Sequence, residues 1–294
     1  MARAARAMPH LGRIALLTAP PAPGPLAALG REEQGLAEAL ASRGFAVERI
    51  RWDAQADWSR YRVVVIRDTW DYHFRRSDFL TAMDRVAGET ALFNSAVQVR
   101  WNSDKGYLLD LRDRSVRVVP TTVFDDGLPP DPCGLVGTDC IVAKPAVGAS
   151  AFKTFVVDRG KPETLALASA ELTGMRCLVQ PFVPSIHTRG ETSLVYFNGV
   201  YSHGLRKQPA AGDFRVQEEL GGRTVRTEPS QEERVLARAT LEALSERPLY
   251  ARVDMVQWEG HPAILEVELI EPVLYLALAQ AANRFAEAIC ERLG

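Results

Sequence analysis

Two consecutive strands near the end of the chain, within residues 251–272, constrain the fold most strongly. Their alternation of apolar and polar residues is that of an antiparallel hairpin with one buried face. Pairing across the hairpin places Asp254 opposite Glu266. Side chains two positions apart share a face, so Glu268 joins them. The chain must therefore bring three carboxylates to one side of a sheet.

The turn of this hairpin sets its register. We predict a three-residue turn, Glu259-Gly260-His261, which makes Trp258 face Pro262. The side chains predicted to point away from the carboxylates are apolar, and they are Val253, Leu265, Val267 and Leu269. The hairpin is therefore expected to lie against a hydrophobic core.

Converging carboxylates need compensation. Like charges directly opposite each other destabilise a sheet by about 0.2–1 kcal/mol, and burial costs more. A hard dication removes this cost, and oxygen-only ligands suit Mg²⁺, which commonly also keeps waters and substrate phosphates. The alternative is an acidic strand face in solvent. We interpret Asp254, Glu266 and Glu268 as metal ligands.

Charge and hydropathy exclude several classes of protein. The 294 residues carry 35 Lys and Arg against 37 Asp and Glu, a net charge of −2. This argues against binding nucleic acid by phosphate neutralisation and against a polybasic membrane-surface protein. No apolar run approaches the roughly 20 residues that span a bilayer. Prolines from residue 20 interrupt the short apolar run at 14–17, so we favour an N-terminal tail and a first strand over a signal peptide.

The four cysteines form no C-x-x-C pair and have no histidine at metal-ligand spacing. They are expected to be reduced thiols in a cytoplasmic protein. We expect a small-molecule, amino-acid-like substrate, no nucleic-acid or membrane partner, and leave a homo-oligomer open.

Strand and helix patterns predict three domains of an α/β chain. Residues 1–100 form an open α/β domain, with strands at 13–18, 45–51, 62–67 and 91–93 and helices at 31–43 and 76–86. Residues 101–185 follow, with a helix from Asn102 through Leu111, strands at 118–123, 140–145, 152–157 and 177–182, and a helix at 162–173. Residues 186–294 are mostly antiparallel, with strands at 191–197, 200–207, 249–259 and 262–270 and helices at 230–244 and 276–293. Asn198-Gly199 predicts a two-residue hairpin turn.

Lys144 ends an apolar strand and precedes a loop of small residues, 147–154. Such a lysine either extends its ammonium to solvent or binds a phosphate. No Walker G-x-x-x-x-G-K-[ST] motif, G-x-S-x-G elbow or H-E-x-x-H helix occurs. The first strand runs into prolines and not into G-x-G-x-x-G, which argues against a dinucleotide-dependent oxidoreductase.

A polar and aromatic cluster, Arg67-Asp68-Thr69-Trp70-Asp71-Tyr72, follows the third predicted strand. Ligands of open α/β sheets bind beyond the carboxyl ends of the strands, so this cluster is a candidate substrate pocket. It is equally compatible with a capped helix start on a packed Trp70, and both interpretations stay open.

The order of these features resembles the ATP-grasp superfamily, near bacterial glutathione synthetase and the RimK-like ligases. The resemblance implies an ATP-grasp fold with an N-terminal α/β domain, a small lid and a C-terminal antiparallel domain, with ATP between the last two. It also implies Mg²⁺ on Asp254, Glu266 and Glu268. The residues that it implies for ATP are Lys105, Lys144, Lys153, Gln180, Pro181, Phe182, Val183, Glu191 and Arg206.

Within that set, the resemblance makes Lys105 and Lys144 phosphate ligands and Gln180 to Val183 the hinge that reads adenine. Glu191 becomes the ribose ligand, and Arg206 with Lys144 the catalytic cations. The sequence departs from the family in two respects. The loop 147–154, which corresponds to the lid loop, has fewer glycines than the lid loops of many family members, and Glu268 stands where glutathione synthetases have Asn.

The Arg67-to-Tyr72 cluster, residues 100–105 and Glu266-x-Glu268-x-x-Glu271-Pro272 are similar to a bacterial ATP-grasp subgroup. That subgroup includes the ring-closing enzyme of D-cycloserine biosynthesis, which acts on O-ureido-D-serine. Arg215 and Glu271 are our choices to bind a substrate carboxylate and amine. The full set of substrate-binding candidates is Arg67, Asp71, Tyr72, His203, Arg215 and Glu271.

The expected function is an ATP-dependent ligase that activates a carboxylate as an acyl phosphate for attack by nitrogen, with ring closure of O-ureido-D-serine as the specific hypothesis. The alternatives are an intermolecular amino-acid or peptide ligase and a nucleotide-binding relative without catalysis.

Overall fold

The protein is described here from a computed structural model that covers residues 11–20 and 30–294. The predicted N-terminal tail and the Pro-rich segment after Pro20 lie outside these residues. The chain forms two compact units, Met1–Ala96 with Ile270–Gly294, and Val97–Leu269. The last stretch of chain thus belongs to the first unit, whereas we expected it in a C-terminal domain 186–294.

The first unit contains a parallel sheet of four strands in the order β2-β1-β3-β4. The strands are β1 (Gly12–Thr18), β2 (Phe45–Arg51), β3 (Val63–Asp68) and β4 (Ala91–Phe93), with helices α1 (Gly30–Ala41) and α2 (Arg76–Glu89). β1 and β3 are apolar along nearly their whole length and buried. Continuous apolar strands are typical of parallel sheets covered on both faces. The predicted open α/β domain is confirmed in this unit.

The second unit begins with two short helices, α3 (Ala96–Asn102) and α4 (Tyr107–Asp113). We predicted one helix from Asn102 through Leu111, but α3 ends at Asn102. Asp104 accepts a hydrogen bond from the Gly106 N–H (2.8 Å) and so forms a turn between the two helices.

A small antiparallel sheet, the lid sheet, has the strand order β5-β8-β6-β7. Its strands are β5 (Thr122–Phe124), β6 (Cys140–Pro145), β7 (Phe155–Asp158) and β8 (Cys177–Pro181), with α5 (Pro132–Val136) and α6 (Pro162–Leu172). Side chains from β6, β7, β8 and α6 share one buried cluster, which includes Ile141, Val157, Leu172 and Val179.

The larger sheet of the second unit is antiparallel in the order β11-β10-β9-β12-β13. Its elements are α7 (Ser185–Thr188), β9 (Glu191–Phe197), β10 (Val200–Gln208), β11 (Arg223–Thr227), α8 (Gln231–Glu242), β12 (Tyr250–Trp258) and β13 (His261–Glu268). The predicted Asn198-Gly199 turn is present, because Phe197 pairs with Val200. β11 was not predicted, since its arginines and threonines lack a clear apolar alternation.

In the β12–β13 hairpin, Asp254 pairs with Glu266 as predicted, but the turn and the register next to it differ from the prediction. Its turn has two residues, Glu259-Gly260, both with positive φ, so Trp258 faces His261 and not Pro262. A bulge between Asp254 and Met255 then shifts the register by one residue, so that Asp254 does face Glu266.

The bulge also changes the side to which Leu265 points. Leu265 packs with Val256 and Ala263 on the carboxylate side. The opposite face carries Val253, Val267 and Leu269, as expected. The prediction for Leu265 was therefore wrong, because strict alternation fails at a bulge.

The first unit is completed by α9 (Ala282–Leu293). We predicted this helix from residue 276. Before α9, the Glu32 carboxylate accepts hydrogen bonds from the N–H groups of Leu274 and Leu276 (3.0 and 2.9 Å), and Tyr275 between them has φ +52°. This segment is therefore a loop. Across the described residues, no helix combines the length and apolar character that crossing a membrane would need.

Candidate active site

One face of the larger sheet carries Asp254, Glu266 and Glu268, and we call it the carboxylate face. The strand register aligns polar side chains there in rows. In the first row, Lys207 pairs with Glu191. The second row contains Ser193, Asp254 and Glu266. The third contains His203, Arg252 and Glu268, with the apolar Val195 among them. Val256 and Ala263, the next pair on this face of β12 and β13, are apolar. The face therefore changes from apolar to highly charged along the strands.

Two buried cations compensate the carboxylates within the sheet. Arg252 donates from Nε and Nη2 to Asp254 at 2.9–3.1 Å and also contacts Glu268. Lys207 Nζ lies 2.8 Å from Glu191 Oε1 and 3.6 Å from Asp254 Oδ2. Buried charges persist only when they are paired, so these contacts explain why the acidic rows are tolerated.

Two further lysines reach the same carboxylates. Lys105 Nζ lies 2.9 Å from Glu266 Oε1 and also donates to the Gly148 carbonyl at the start of the lid loop. Burial lowers the pKa of Lys144, on β6, and the nearby Glu266 opposes that effect. Lys105 and Lys144 thus both lie near Glu266, and their role as phosphate ligands stays a prediction.

The electrostatics differ between the three acids. Burial raises the pKa of Asp254, but Arg252 and Lys207 outweigh it and hold the value at about 2. For Glu266, burial is likewise outweighed by Lys105 and Lys144, and the pKa is lowered. Burial raises the pKa of Glu268 to about 7 against the attraction of Arg252, and Asp254 and Glu266 add to that rise. Glu268 is thus the acid that would gain most from an added cation.

Whether a divalent cation fits can be judged from these donors. Within residues 11–20 and 30–294, no three acidic, His or Cys side chains converge closely enough to hold an ion. The oxygens of Asp254 and Glu266 are instead bonded to Arg252 and Lys105. The donor set still suits Mg²⁺, because all three acids offer oxygen from one face. Binding would require the carboxylates to exchange these cations for the metal.

The predicted adenine hinge lies at the apolar end of the carboxylate face. The Gln180 side chain is buried and donates to Thr121 Oγ1 (2.9 Å), and Pro181 ends β8. The Phe182 N–H donates to the Cys140 carbonyl (2.9 Å), so it is not available to a base. Val183 belongs to an apolar cluster whose other members are Val119, Phe182, Ile186, Phe214, Val216, Val256, Trp258, Ala263 and Leu265. Most of this cluster is buried, and Phe182, Phe214, Trp258 and Leu265 are its partly buried members.

Two predicted ATP ligands are not brought to this face. Arg206 contacts the Arg189 carbonyl (3.2 Å) and Glu233 of α8 (3.8 Å). Neighbouring residues of a strand point to opposite faces, and Lys207 takes the carboxylate face. Lys153 lies 3.1 Å from Glu171 and donates to its carbonyl (2.9 Å), on α6. Arg206 and Lys153 therefore do not join the cluster of acids in this structure, and their contact with ATP phosphates stays a prediction.

Three of the predicted substrate residues are engaged inside the first unit. Arg67 is 2% exposed and bonds to Glu33 (3.0 Å). Asp71 accepts a hydrogen bond from the Trp52 indole (2.7 Å). The Tyr72 ring packs on Phe79 with centroids 5.1 Å apart. The alternative interpretation is met only in part, because Asp71 precedes the short 3₁₀ helix Tyr72–Arg75 without a side-chain cap and Trp70 is half-buried.

The other substrate candidates differ in their surroundings. His203 is buried on the carboxylate face, with Nδ1 2.9 Å from Ser202 Oγ. Arg215 forms a two-pronged contact with Asp213 (2.8–3.2 Å) in the loop after β10. Glu271 is half-buried in the first unit.

Sequence reasoning missed Arg252 and Lys207. The signal for Arg252 was its spacing, since a residue two positions before Asp254 must share its face. Lys207 was overlooked because the neighbouring Arg206 was given the cationic role. Only the pairing of β10 with β9 shows which of the two faces the acids.

Two family models and one curated relative match this chain. Residues 14–94 match the family model of the N-terminal domain of D-cycloserine synthetase DcsG, and residues 136–278 match that of the ATP-grasp domain of prokaryotic glutathione synthetase. The chain is 34% identical over 281 residues to the cycloserine biosynthesis protein DcsG of Streptomyces lavendulae, covering 88% of this chain and 92% of that protein.

Solved structures show the same fold. The crystal structure of D-cycloserine synthetase DcsG superposes with a TM-score of 0.85 at 32% identity, covering 96% of this chain and 100% of the other. D-alanine–D-alanine ligase from Bacillus anthracis, complexed with ATP, gives a TM-score of 0.71 at 17% identity over 96% of this chain and 97% of its own. The chain therefore belongs to the ATP-grasp superfamily of ATP-dependent carbon–nitrogen ligases, in the family of the cycloserine biosynthesis protein DcsG.

Proposed function

We propose that this enzyme closes the isoxazolidinone ring of D-cycloserine by activating the carboxylate of O-ureido-D-serine with ATP. The observation that carries the proposal is the similarity to DcsG, which extends over 88% of this chain. It includes the N-terminal domain, for which a separate DcsG family model matches residues 14–94.

The chemistry requires an activated carboxyl group. A carboxylate repels nucleophiles and has no good leaving group, whereas an acyl phosphate has one. In the proposed reaction, a carboxylate oxygen attacks the γ-phosphorus of ATP and ADP leaves. The substrate nitrogen that is bonded to oxygen then attacks the acyl carbon, a C–N bond forms, that nitrogen loses its proton, and phosphate leaves with the electron pair of the broken C–O bond. Water then adds to the carbamoyl carbon that the same nitrogen still carries, and the bond between them breaks with its electron pair going to the ring nitrogen, which takes up a proton. The released carbamate decomposes to ammonia and CO2. Ring closure therefore needs one organic substrate.

The roles of the cations follow from their positions. Lys105 and Lys144 stand beside Glu266 and would hold the phosphates, because their charge offsets that of the transferring group. Arg252 and Lys207 are our candidates for steadying the acyl phosphate. Asp254, Glu266 and Glu268 would hold Mg²⁺, which when bound supplies further neutralisation of the phosphoryl charge.

Recognition of the nucleotide and of the amino acid is assigned to different parts of the chain. The hinge from Gln180 to Val183 would accept adenine at the apolar end of the carboxylate face, and Glu191 the ribose. Glu271 remains our candidate for the substrate amine. Arg215 would bind the substrate carboxylate only after releasing Asp213, which holds it in this structure. Because the reaction consumes ATP, we place the enzyme in the cytoplasm.

The test is ADP release by the purified protein with Mg-ATP across single amino acids, amino-acid pairs and O-ureido-D-serine. Release with O-ureido-D-serine alone, together with D-cycloserine identified by mass and chromatography against a standard, is the expected result. Release only with pairs would make the protein an intermolecular amide ligase. No release with any of them, despite ATP binding, would favour a relative without catalysis.

A further inference from the structure

β13 lies at the edge of the larger sheet, and among residues 11–20 and 30–294 the backbone groups on its outer side face no further strand apart from a single bridge between Val118 and Ile264. Edge strands normally leave such groups to water. Here, the side chains of the last residue of α3, Asn102, and of the first residue of α4, Tyr107, bind several of them. The Tyr107 hydroxyl donates to the Val267 carbonyl (2.9 Å) and accepts from the Val267 N–H (2.8 Å). Asn102 donates from Nδ2 to the same carbonyl (2.7 Å) and accepts from the Leu269 N–H at Oδ1 (2.8 Å).

These bonds surround the two acids of β13. Val267 lies between Glu266 and Glu268, and Leu269 follows them. Further along the same edge, the Ile264 N–H donates to the Arg117 carbonyl and the Ile264 carbonyl accepts from the Val119 N–H, both at 2.9 Å. The backbone is thus held on both sides of the bulge. Since the side chains of Glu266 and Glu268 leave this backbone toward the carboxylate face, its position fixes where their oxygens can reach.

The side chains of Asn102 and Tyr107 can form the hydrogen bonds that a neighbouring strand would form with β13. An amide side chain offers one N–H and one C=O in the geometry of a peptide, and a phenol can donate and accept at once. Asn102 and Tyr107 are 7% and 2% exposed, so water does not compete for these contacts. Burial raises the pKa of Tyr107 well above its ordinary value, which keeps the donor proton in place.

The same short segment carries Lys105. Its backbone N–H donates to the Ala146 carbonyl (2.7 Å), and its ammonium contacts Glu266 (2.9 Å). Asn102, Lys105 and Tyr107 therefore link the lid loop, the Glu266 carboxylate and the backbone of β13. A shift of this segment would displace a phosphate-binding candidate and the carboxylates together.

We propose that Asn102 and Tyr107 are positioning residues for the metal-binding strand: their side chains act in place of a sixth strand and hold Glu266 and Glu268 ready for a divalent cation. The proposal rests on the proposed function only for the assignment of the metal to these acids. It places Asn102 and Tyr107 outside direct contact with metal and substrate, and it attributes their effect to the backbone of Val267 and Leu269.

Tyr107→Phe tests the proposal, because it removes the hydroxyl and keeps the buried ring. The matched control is Tyr196→Phe, a buried tyrosine of the same core whose hydroxyl has no hydrogen bond to β13 in the described part of the chain. Three quantities are measured: Mn²⁺ affinity in the presence of ADP by electron paramagnetic resonance, ADP affinity in EDTA, and deuterium uptake of the β13 amides in the ligand-free protein. Asn102→Asp, which keeps the acceptor and loses the donor, is the second variant.

Loss of such supporting partners lowers metal affinity by roughly 10–100-fold. We expect Tyr107→Phe to weaken Mn²⁺ binding by about tenfold, to speed exchange in β13, and to leave ADP affinity in EDTA unchanged, with Tyr196→Phe like the wild type. The positioning role would be overturned if Mn²⁺ affinity were unchanged in both Tyr107→Phe and Asn102→Asp. It would also be overturned if ADP affinity in EDTA fell together with Mn²⁺ affinity. A wild-type protein that releases no ADP with any substrate would refute the proposed function, whereas the Mn²⁺ titration would still test the positioning role.

Discussion

Arg252 donates from Nε to both carboxylate oxygens of Asp254, at 3.0 and 3.1 Å, although the two residues lie only two positions apart on β12. Both side chains leave the strand on the carboxylate face, and the guanidinium extends further to Glu268. One buried cation thereby joins two of the three proposed metal ligands. Because arginine stays charged when buried, this position can supply a fixed positive charge during phosphoryl transfer.

The first prediction concerns the choice between Arg252 and Arg206. Arg252→Lys keeps a charge but loses the planar fork that contacts Asp254 and Glu268. We expect its kcat for ADP release to fall by about a hundredfold, the effect of removing one donor that stabilises a transition state. The matched variant Arg206→Lys should retain near-normal kcat, because Arg206 contacts Glu233 of α8 and none of the three carboxylates proposed to bind the metal. A larger loss in Arg206→Lys than in Arg252→Lys would contradict this assignment.

The second prediction concerns Glu266, which lies opposite Asp254 and contacts Lys105. Glu266→Gln keeps the size of the side chain but removes the charge that a divalent cation and Lys105 both require. ADP formation should be lost, while circular dichroism and the unfolding midpoint stay close to wild type. Glu259→Gln, at the exposed turn of the same hairpin, is the control and should be fully active. Normal turnover of Glu266→Gln would remove Glu266 from the metal site.

The fold was predictable where local patterns are strong. The apolar strands β1 and β3 and the Asn198-Gly199 turn carry their own signals, and their positions agree with expectation. The register of the hairpin that carries Asp254 and Glu266 could not be predicted from local patterns alone. An error of one residue at the turn was cancelled by a bulge that no local pattern reveals.

The candidate site was predictable only for residues whose face follows from a single strand. Glu266 and Glu268 share a face because they lie two positions apart on β13, whereas Asp254 was placed opposite Glu266 correctly only because the bulge offset the error at the turn. The choice between Arg206 and Lys207 needed the pairing of β10 with β9, which is not local. The roles of Asn102 and Tyr107 depend on bonds to Val267 across about 160 residues of chain, and no pattern near either residue points to them.

The third prediction separates Lys144, on β6 of the lid sheet, from Lys153, in the loop between β6 and β7. Lys144 lies close to Glu266, whereas Lys153 is paired with Glu171 on α6. Lys144→Met should raise the Kd for ATP about tenfold or more, since hydrogen bonds to charged groups contribute about 1.5–3 kcal/mol. Lys153→Met removes a partly exposed ion pair, which contributes about 0–1 kcal/mol, so its Kd for ATP should stay near the wild-type value. Isothermal titration with a non-hydrolysable ATP analogue measures both, and equal losses would place Lys153 at the phosphates after all.

The fourth prediction concerns stability and pH in the first unit, where Glu33 is buried beside Arg67. Burial raises the pKa of Glu33 above its ordinary value of 4.5, and the attraction of Arg67 only partly opposes this. The folded protein therefore holds this proton more tightly than the unfolded chain does. The resulting stabilisation is complete below pH 4.5 and is lost as the pH rises through the raised folded-state pKa.

Glu33→Gln removes that titration. The free energy of unfolding of Glu33→Gln relative to wild type should therefore increase as the pH rises from 4.5 through the raised folded-state pKa of Glu33, whatever the constant offset caused by the altered contact with Arg67. Urea unfolding followed by tryptophan fluorescence at a series of pH values measures it. Glu38→Gln, exposed on the same helix α1, is the control and should run parallel to wild type. A difference between Glu33→Gln and wild type that stays flat or decreases with pH would show that Arg67 keeps Glu33 ionised in the folded protein.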